Sequence, residues 1–83
     1  MKNIIVYTIP NCYYCKKVKK FLAEKNVKFR DVDVKSNKTF AKEMIIKSGQ
    51  KNVPVLDIEG EIIFRIDSDT GESLINKIKE KLE

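Results

Sequence analysis

Two cysteines close to the N-terminus constrain the fold of this chain more than any other feature. Residues 3–7 are a short β-branched run, residues 8–11 are turn-forming, and a Cys-Tyr-Tyr-Cys motif spans Cys12 to Cys15. The motif opens a lysine-rich amphipathic stretch over residues 13–25, which predicts a helix. We therefore expect a strand, a turn and a helix in succession, with Cys12 or the residue before it as the N-cap.

This placement gives the two cysteines different chemistry. A helix N-terminus offers free backbone N–H groups and the positive end of the helix dipole, and both stabilise a thiolate, which is the nucleophile in disulfide exchange. We expect Cys12 to be the attacking catalytic residue. Cys15 follows almost one helical turn later and shares the inward side of the helix with Val18, so it is expected to be the buried, slower thiol that resolves a mixed disulfide at Cys12.

Length and composition limit the class of protein. With 83 residues, 42% of them hydrophobic, the chain can form one small folded domain. No apolar run approaches the roughly 20 residues that span a bilayer, and the N-terminus lacks a signal-peptide pattern, so we expect a cytoplasmic protein with no membrane partner. A zinc site needs about four ligands, whereas the chain has two cysteines and no histidine. We expect no metal site, since one would require a second chain or an outside thiol.

The positive charge of the chain is concentrated at the end that carries the cysteines. Residues 1–30 contain eight Lys or Arg and one Glu, a net charge of +7, whereas residues 31–83 have a net charge of −2. The lysines of the first helix alternate with Val18, Phe21 and Leu22 as the solvated side of an amphipathic helix does, and no nucleic-acid recognition motif accompanies them. We expect no nucleic-acid partner. The same charge favours a thiolate at Cys12 and acidic substrates.

The rest of the chain predicts five further elements. Residues 28–34 alternate apolar and polar side chains and indicate an edge strand. Ser36 and Asn37 can cap a helix that ends at Ser48, with Gly49 as its left-handed C-cap. The inward side chains of this helix are expected to be Phe40, Ala41, Met44 and Ile45.

Two apolar runs, residues 55–58 and 61–66, flank Glu59-Gly60 and predict a β-hairpin. Residues 67–70 offer several caps for a last helix, whose inward side chains are Leu74, Ile75, Ile78 and Leu82. The element order βαβαββα predicts an α/β fold: a four-stranded mixed sheet with helices on both faces, whose first βαβ unit is a right-handed parallel crossover.

With the cysteine pair after the first strand, Val53-Pro54 before the third and this element order, the chain resembles the glutaredoxin branch of the thioredoxin superfamily. The resemblance covers essentially all 83 residues and implies one glutaredoxin-like domain, residues 1–83, with a thioredoxin-like fold. It is strongest to short bacterial glutaredoxin-like proteins. The segments that carry this similarity are Ser48-Gly49-Gln50, Val53-Pro54-Val55 and Asp57-Ile58-Glu59-Gly60.

The resemblance also implies a substrate site. Pro54 is expected to be cis, and the backbone of Val53 to pair with the substrate. Tyr14 matches the tyrosine of the family motif that contacts glutathione. Asp67 is expected to bind the γ-glutamyl ammonium, while Ser68 and the helix N-terminus hold the γ-glutamyl carboxylate. Capping of the last helix is the alternative role of Asp67 and Ser68.

Three positions depart from the family pattern. Ile9 stands where the family has a lysine, Phe64-Arg65 replaces two glycines, and Tyr13 replaces a proline. Lys16 or Arg65 could supply the missing cation. The backbone N–H of Tyr13 could donate to the Cys12 thiolate; the alternative is that Tyr13 is a surface aromatic that contacts partners.

The expected function is thiol-disulfide oxidoreductase, reducing protein disulfides or glutathione mixed disulfides. Its expected partners are glutathione, as co-substrate, and disulfide-containing or glutathionylated proteins, with no cofactor and a monomeric chain. The alternatives are a dithiol electron carrier reduced by thioredoxin reductase, a glutathione-assisted iron-sulfur module, a redox sensor and a basic interaction domain. Asp57, a carboxylate within an apolar strand, is expected to pair with a lysine or reach solvent; the alternative is a proton acceptor for Cys15.

Overall fold

The computed structural model describes residues 3–82, so residues 1, 2 and 83 of the expected domain lie outside the described part. It contains four strands and three helices in the predicted order. Strand β2 is shorter than the sequence pattern at both ends, and β4 ends two residues earlier than expected. The elements are β1 Ile4–Thr8, α1 Tyr13–Glu24, β2 Arg30–Asp33, α2 Lys38–Ser48, β3 Val55–Ile58, β4 Glu61–Phe64 and α3 Gly71–Leu82.

The four strands form one mixed sheet in the order β2-β1-β3-β4. Strand β1 is parallel to β2 and antiparallel to β3, and β3 and β4 form the predicted antiparallel hairpin. Strand β2 is at the edge, as predicted. In the register, Val55 lies opposite Tyr7 on one side and opposite Phe64 on the other, so β1 and β4 end where β3 begins.

Alternate strand residues face two separate hydrophobic clusters. The larger cluster lies between the sheet and helices α1 and α3, and the smaller one lies between the sheet and α2. Helices therefore cover both faces, as predicted. The buried residues of the larger cluster are Ile4, Val6, Val18, Leu22, Leu56, Ile58, Ile63, Leu74 and Ile78, and those of the smaller are Tyr7, Val32, Met44 and Val55.

The ends of α2 follow the sequence, but its buried side is narrower than predicted. The Asn37 side chain accepts hydrogen bonds from the backbone N–H groups of Thr39 and Phe40, and Gly49 ends the helix at φ 72°. Met44 is buried, as predicted. The prediction that Ile45 faces inward is wrong, because it is 44% exposed and Ile46, the next residue, is 83% exposed. One helix that crosses a short sheet buries only the stripe nearest the sheet.

Asp57 has a structural role on the α2 face. Its Oδ1 accepts the Gly60 N–H at 2.8 Å, and Glu59 and Gly60 both have positive φ, as a two-residue type I′ turn requires. Its Oδ2 lies 2.7 Å from the Lys47 Nζ. The expected pairing of Asp57 with a lysine is therefore confirmed.

Lys47 joins two other polar groups that are covered by α2. Its Nζ donates to the Tyr7 hydroxyl at 2.7 Å and lies 3.2 Å from the Glu43 carboxylate. Burial raises the pKa of Tyr7 above its usual value. Burial opposes the charge of Lys47, but its hydrogen bonds to Asp57, Tyr7 and Glu43 outweigh that cost and raise the pKa of its ammonium. We call these four residues the Lys47 cluster.

No helix within residues 3–82 is long and apolar enough to cross a bilayer.

We predict that Lys47→Met destabilises the fold, because it leaves Asp57 and the Tyr7 hydroxyl partly buried without their donor. The free energy of unfolding, measured by urea titration, should fall by about 2 kcal/mol. Lys42→Met removes an exposed lysine from the same helix and should change that value by less than about 0.5 kcal/mol. Equal losses in the two variants would contradict a stabilising role of the cluster.

Candidate active site

The candidate site lies at the end of the sheet where β1 and β4 finish and β3 starts. The pairing of Tyr7, Val55 and Phe64 brings three chain segments to this end. The segment after β1 contains both cysteines, the segment before β3 contains Val53 and Pro54, and the segment after β4 runs to α3. Most of the residues that the sequence pointed to are therefore brought together.

Cys12 is the N-cap of α1. Asn11, just before it, has φ 61°, a left-handed conformation that asparagine tolerates, and this reverses the chain into the helix. The Cys12 Sγ accepts a hydrogen bond from the Cys15 backbone N–H at 3.2 Å. An N–H donor at this distance stabilises negative charge on sulfur. The donor is thus Cys15 rather than Tyr13, whose N–H the sequence had suggested.

Cys15 is the buried member of the pair, as predicted. Its side chain is 1% exposed, and neither cysteine is in a disulfide. Burial raises the pKa of the Cys15 thiol to about 12, and the adjacent Cys12 side chain adds to this effect by hydrogen bonding and by its charge. The backbone of Ile9 and the charge of Lys19 act in the opposite direction. At neutral pH the Cys15 thiol therefore keeps its proton.

A polar chain beside Cys15 was missed by the sequence analysis. The buried Thr8 hydroxyl donates to Asp31 at 2.6 Å, and the Lys19 ammonium lies 2.9 Å from the same carboxylate. Burial opposes ionisation of Asp31, but the bonds from Thr8 and Lys19 outweigh it and lower the pKa of its carboxyl group. The sequence signal that could have placed Lys19 beside Cys15 was their four-residue spacing, which puts them on one face of the helix. Asp57, in contrast, lies on the other face of the sheet with the Lys47 cluster.

Val53 and Pro54 come immediately before β3. They lie at the end of the sheet where the cysteine segment follows β1. The Val53–Pro54 peptide bond is cis, as the resemblance implied. Pro54 is buried and Val53 is half-buried. The cis proline and the residue before it therefore lie at the same end of the sheet as the cysteine segment.

The two tyrosines of the motif have different surroundings. Tyr13 is 66% exposed, and its ring contacts that of Tyr14 edge-on, with centroids 5.2 Å apart. The Lys17 ammonium lies 5.6 Å from the centroid of the Tyr13 ring. Tyr14 is half-buried, and the Arg65 guanidinium carbon lies 4.4 Å from the centroid of its ring. Of the two cations suggested by the sequence, Arg65 is therefore in contact with the motif.

Asp67 and Ser68 are the central residues of a tight turn. The Asp69 N–H donates to the Ile66 carbonyl at 2.9 Å, and the Ile66 N–H donates to the Asp69 carboxylate at 2.9 Å, which closes the turn at both ends. Asp69 is further bound by Ser73 and by Lys77, and the Lys77 hydrogen bond is the main reason that its pKa falls to about 2. The Asp67 and Ser68 side chains are exposed, and within residues 3–82 they make no hydrogen bond.

The last helix is capped by Thr70, so the alternative capping role of Asp67 and Ser68 is not observed. The Thr70 hydroxyl accepts the Ser73 N–H at 3.1 Å, and the Ser73 hydroxyl accepts the Thr70 N–H at 2.8 Å. This reciprocal pair is a capping box with serine at its third helical position. The aliphatic part of Lys17 lies against Gly71, so the N-termini of α1 and α3 are neighbours.

The arrangement can perform disulfide exchange. It combines a half-buried cysteine at a helix N-terminus with a buried partner thiol that keeps its proton. Residues 3–82 contain no cluster of three or more Cys, Asp or Glu side chains that could hold a metal ion.

Comparisons with known proteins agree with this chemistry. The sequence profile of the Glutaredoxin family matches residues 4–63. The chain is 39% identical to a glutaredoxin-like 8.6 kDa protein of the rubredoxin operon of Clostridium pasteurianum, over 89% of this chain and 99% of that protein. It is 35% identical to glutaredoxin 3 of Escherichia coli K12, over 76% of each chain.

A solved structure supports the fold as well. The crystal structure of a thioredoxin-like protein superposes with a TM-score of 0.80 and 28% identity, over 95% of this chain and 99% of that one. The family profile covers most of the chain, including both cysteines and Pro54. The four-stranded mixed sheet with three helices matches the fold of the solved thioredoxin-like protein. This chain therefore belongs to the glutaredoxin family of thiol-disulfide oxidoreductases.

Proposed function

We propose that this protein reduces protein disulfides and glutathione mixed disulfides, with glutathione as its co-substrate. One observation carries the proposal: the Cys12 sulfur accepts the Cys15 N–H at the start of α1, while the Cys15 thiol is buried and protonated. The two cysteines thus differ in the way that a nucleophile and a resolving thiol must differ. Free thiols persist in a reducing compartment, so the cytoplasm is the proposed location.

The first step is attack by the Cys12 thiolate on one sulfur of a substrate disulfide. The bond between Cys12 and that sulfur forms, the substrate S–S bond breaks, and the second substrate sulfur leaves as a thiolate that takes a proton from solvent. One half of the substrate remains attached to Cys12 as a mixed disulfide.

Two routes resolve the mixed disulfide. When a protein is attached, Cys15 loses its proton and attacks the Cys12 sulfur, and the bond between Cys12 and the substrate sulfur breaks. The substrate sulfur leaves as a thiolate that takes up a proton, which gives an intramolecular Cys12–Cys15 disulfide and a reduced protein. When glutathione is attached, an external glutathione thiolate attacks the glutathione sulfur, which regenerates Cys12 and releases glutathione disulfide. Formation of the mixed disulfide removes the charge of Cys12, so one cause of the raised Cys15 pKa disappears when Cys15 must act.

Five residues are proposed to bind the substrate. The Val53 backbone, with the cis Pro54 after it, pairs with the substrate main chain, and the Tyr14 ring contacts glutathione. Asp67 binds the γ-glutamyl ammonium and Ser68 its carboxylate; both side chains are exposed and free of internal hydrogen bonds within residues 3–82. Thr70 caps α3, which begins at Gly71, and accepts one of its free N–H groups. Ser68 rather than the end of the helix is therefore proposed to bind the carboxylate.

A dithiol electron carrier reduced by thioredoxin reductase is the second candidate. Ile9 favours it, because an apolar side chain supplies no cation for a glutathione carboxylate at the position of the family lysine. The iron-sulfur alternative remains a hypothesis that would need thiol ligands from outside this chain.

We predict selective alkylation of Cys12 by iodoacetamide at pH 8 in the folded, reduced protein. A thiol with a pKa of about 12 is ionised in only about one molecule in ten thousand at that pH, and burial further hinders access to Cys15. Peptide mapping by mass spectrometry should show modification at Cys12 alone, and at both cysteines after unfolding in guanidinium chloride. Equal modification of the two cysteines in the folded protein would contradict the assigned roles.

We predict that Cys15→Ser retains glutathione-dependent reduction of a small glutathione mixed disulfide, whereas Cys12→Ser is inactive. The measurement is NADPH consumption coupled to glutathione reductase. The same two variants should both fail to reduce a protein disulfide with thioredoxin reductase as the electron source, because that route needs Cys15. A wild-type protein that works with thioredoxin reductase and not with glutathione would favour the dithiol carrier.

We predict that Asp67→Asn raises the KM for the glutathione mixed disulfide by about fivefold and leaves kcat nearly unchanged, because it removes an exposed charge from a group distant from the reacting sulfur. Glu72→Gln removes a nearby exposed acid in the first turn of α3 and is the matched control. A similar change in KM for both variants would show that net charge, rather than Asp67, is responsible.

A further inference from the structure

Arg65 lies at the cysteine end of the sheet and has no role in the mechanism above. It follows Phe64, the last residue of β4, and Phe64 pairs with Val55. Pro54 precedes Val55, so Arg65 is at the same end of the sheet as the cis proline and the cysteine segment. A positively charged side chain is thus added to the site in place of the small residue that the family pattern has there.

The Arg65 guanidinium is held against the redox motif. Its central carbon lies 4.4 Å from the centroid of the Tyr14 ring, well within the range of a cation–π contact. Tyr14 lies between the two cysteines in the sequence. The side chain is half-buried, so its charge is less screened than that of a fully exposed lysine.

The donors of this guanidinium are largely unfilled. Nη1 donates to the Ile66 carbonyl at 3.4 Å, which is long for a hydrogen bond, and within residues 3–82 Nη2 makes no hydrogen bond and is open to solvent. Nε has no acceptor but is shielded from solvent, so a ligand can reach only the two Nη atoms. Within residues 3–82, no carboxylate forms an ion pair with Arg65. Asp69, four residues later, is bound by Lys77 and Ser73 instead.

Other cations near the motif are engaged or fully exposed. Lys19 pairs with Asp31, and the Lys17 ammonium lies 3.5 Å from the Tyr13 hydroxyl. Lys16 is exposed to solvent. Arg65 is therefore the half-buried cation at the motif whose hydrogen-bonding capacity is still available to a ligand.

We propose that Arg65 binds a carboxylate of the substrate half that becomes attached to Cys12. The inference rests on the proposed function and adds a specificity-determining residue to it. A planar guanidinium with free donors matches a carboxylate better than an ammonium does, and the Tyr14 ring fixes its orientation before binding. The carboxylate comes from glutathione itself or from an acidic side chain beside the cysteine of a protein substrate.

The test measures how fast Cys12 attacks matched disulfides, in Cys15→Ser protein so that the reaction stops at the mixed disulfide. One pair is glutathione disulfide and its fully esterified form, which lacks carboxylates. The second pair is a symmetric disulfide of a short cysteine peptide with Glu or with Gln beside the cysteine. Second-order rate constants are obtained by quenching and intact-mass spectrometry. They are measured for the Cys15→Ser protein and for the same protein with Arg65→Gln, Arg65→Lys or Lys16→Gln added.

We expect Arg65→Gln to slow attack on at least one carboxylate-bearing disulfide about tenfold and to change the rate with its neutral counterpart less than about twofold. Arg65→Lys should restore part of the lost rate, because it keeps the charge but not the planar donor set. Lys16→Gln removes the same charge from an exposed position and should change both members of a pair alike. Selectivity in the glutathione pair identifies glutathione as the source of the carboxylate, and selectivity in the peptide pair identifies a protein side chain.

Three results would overturn the inference. Equal slowing of both members of each pair by Arg65→Gln would mean that Arg65 only positions Tyr14. The same selective loss in Lys16→Gln would mean that overall charge is responsible. Failure of the protein with Arg65 intact to react with glutathione disulfide would refute the glutathione assignment alone, since the peptide pair still tests Arg65; failure with every disulfide would refute both.

Discussion

Backbone pairing in the centre of the sheet is the constraint on which the site depends. Val55 lies opposite Tyr7 in one neighbouring strand and opposite Phe64 in the other, and both pairings are antiparallel. One end of the sheet must therefore contain the end of β1, the start of β3 and the end of β4. A slip of one residue would also exchange the faces of the strand, because strand side chains alternate, so the hydrophobic clusters fix this register.

Unequal environments turn two chemically identical cysteines into a functional pair. Helix α1 begins at this same end of the sheet. Cys12 is therefore half-buried at the N-cap, and Cys15 lies in the interior about one turn later. The backbone N–H of Cys15 donates to the Cys12 sulfur, so the residue proposed to resolve the reaction also supports the proposed nucleophile. Local helix geometry and burial account for the difference between the two thiols.

The carboxylates of the chain are divided between the two faces of the sheet. Asp57 belongs to the Lys47 cluster under α2, where it also fixes the β3–β4 turn, and it has no contact with the cysteines. Asp31 accepts hydrogen bonds from Thr8 and Lys19 on the α1 side, and the positive charge of Lys19 acts to lower the pKa of Cys15. Because side chains alternate between the faces along each strand, β3 supplies one acid to the Lys47 cluster and β2, on the other side of β1, supplies another to the surroundings of Cys15.

The sequence alone determined the element order, an N-cap at Cys12 or the residue before it, the burial of Cys15 and the C-cap at Gly49, because these follow from local periodicity and capping chemistry. Similarity to a family indicated the cis bond before Pro54. Only the tertiary structure decided which side chains meet from distant segments: Arg65 with Tyr14, Asp31 with Lys19, and Lys47 with Asp57. Local sequence sets which face a residue occupies, whereas contacts between elements depend on sheet register and helix placement, which no short stretch of sequence encodes. For the same reason the inward prediction for Ile45 was wrong, since the width of the buried stripe on α2 depends on the sheet beneath it.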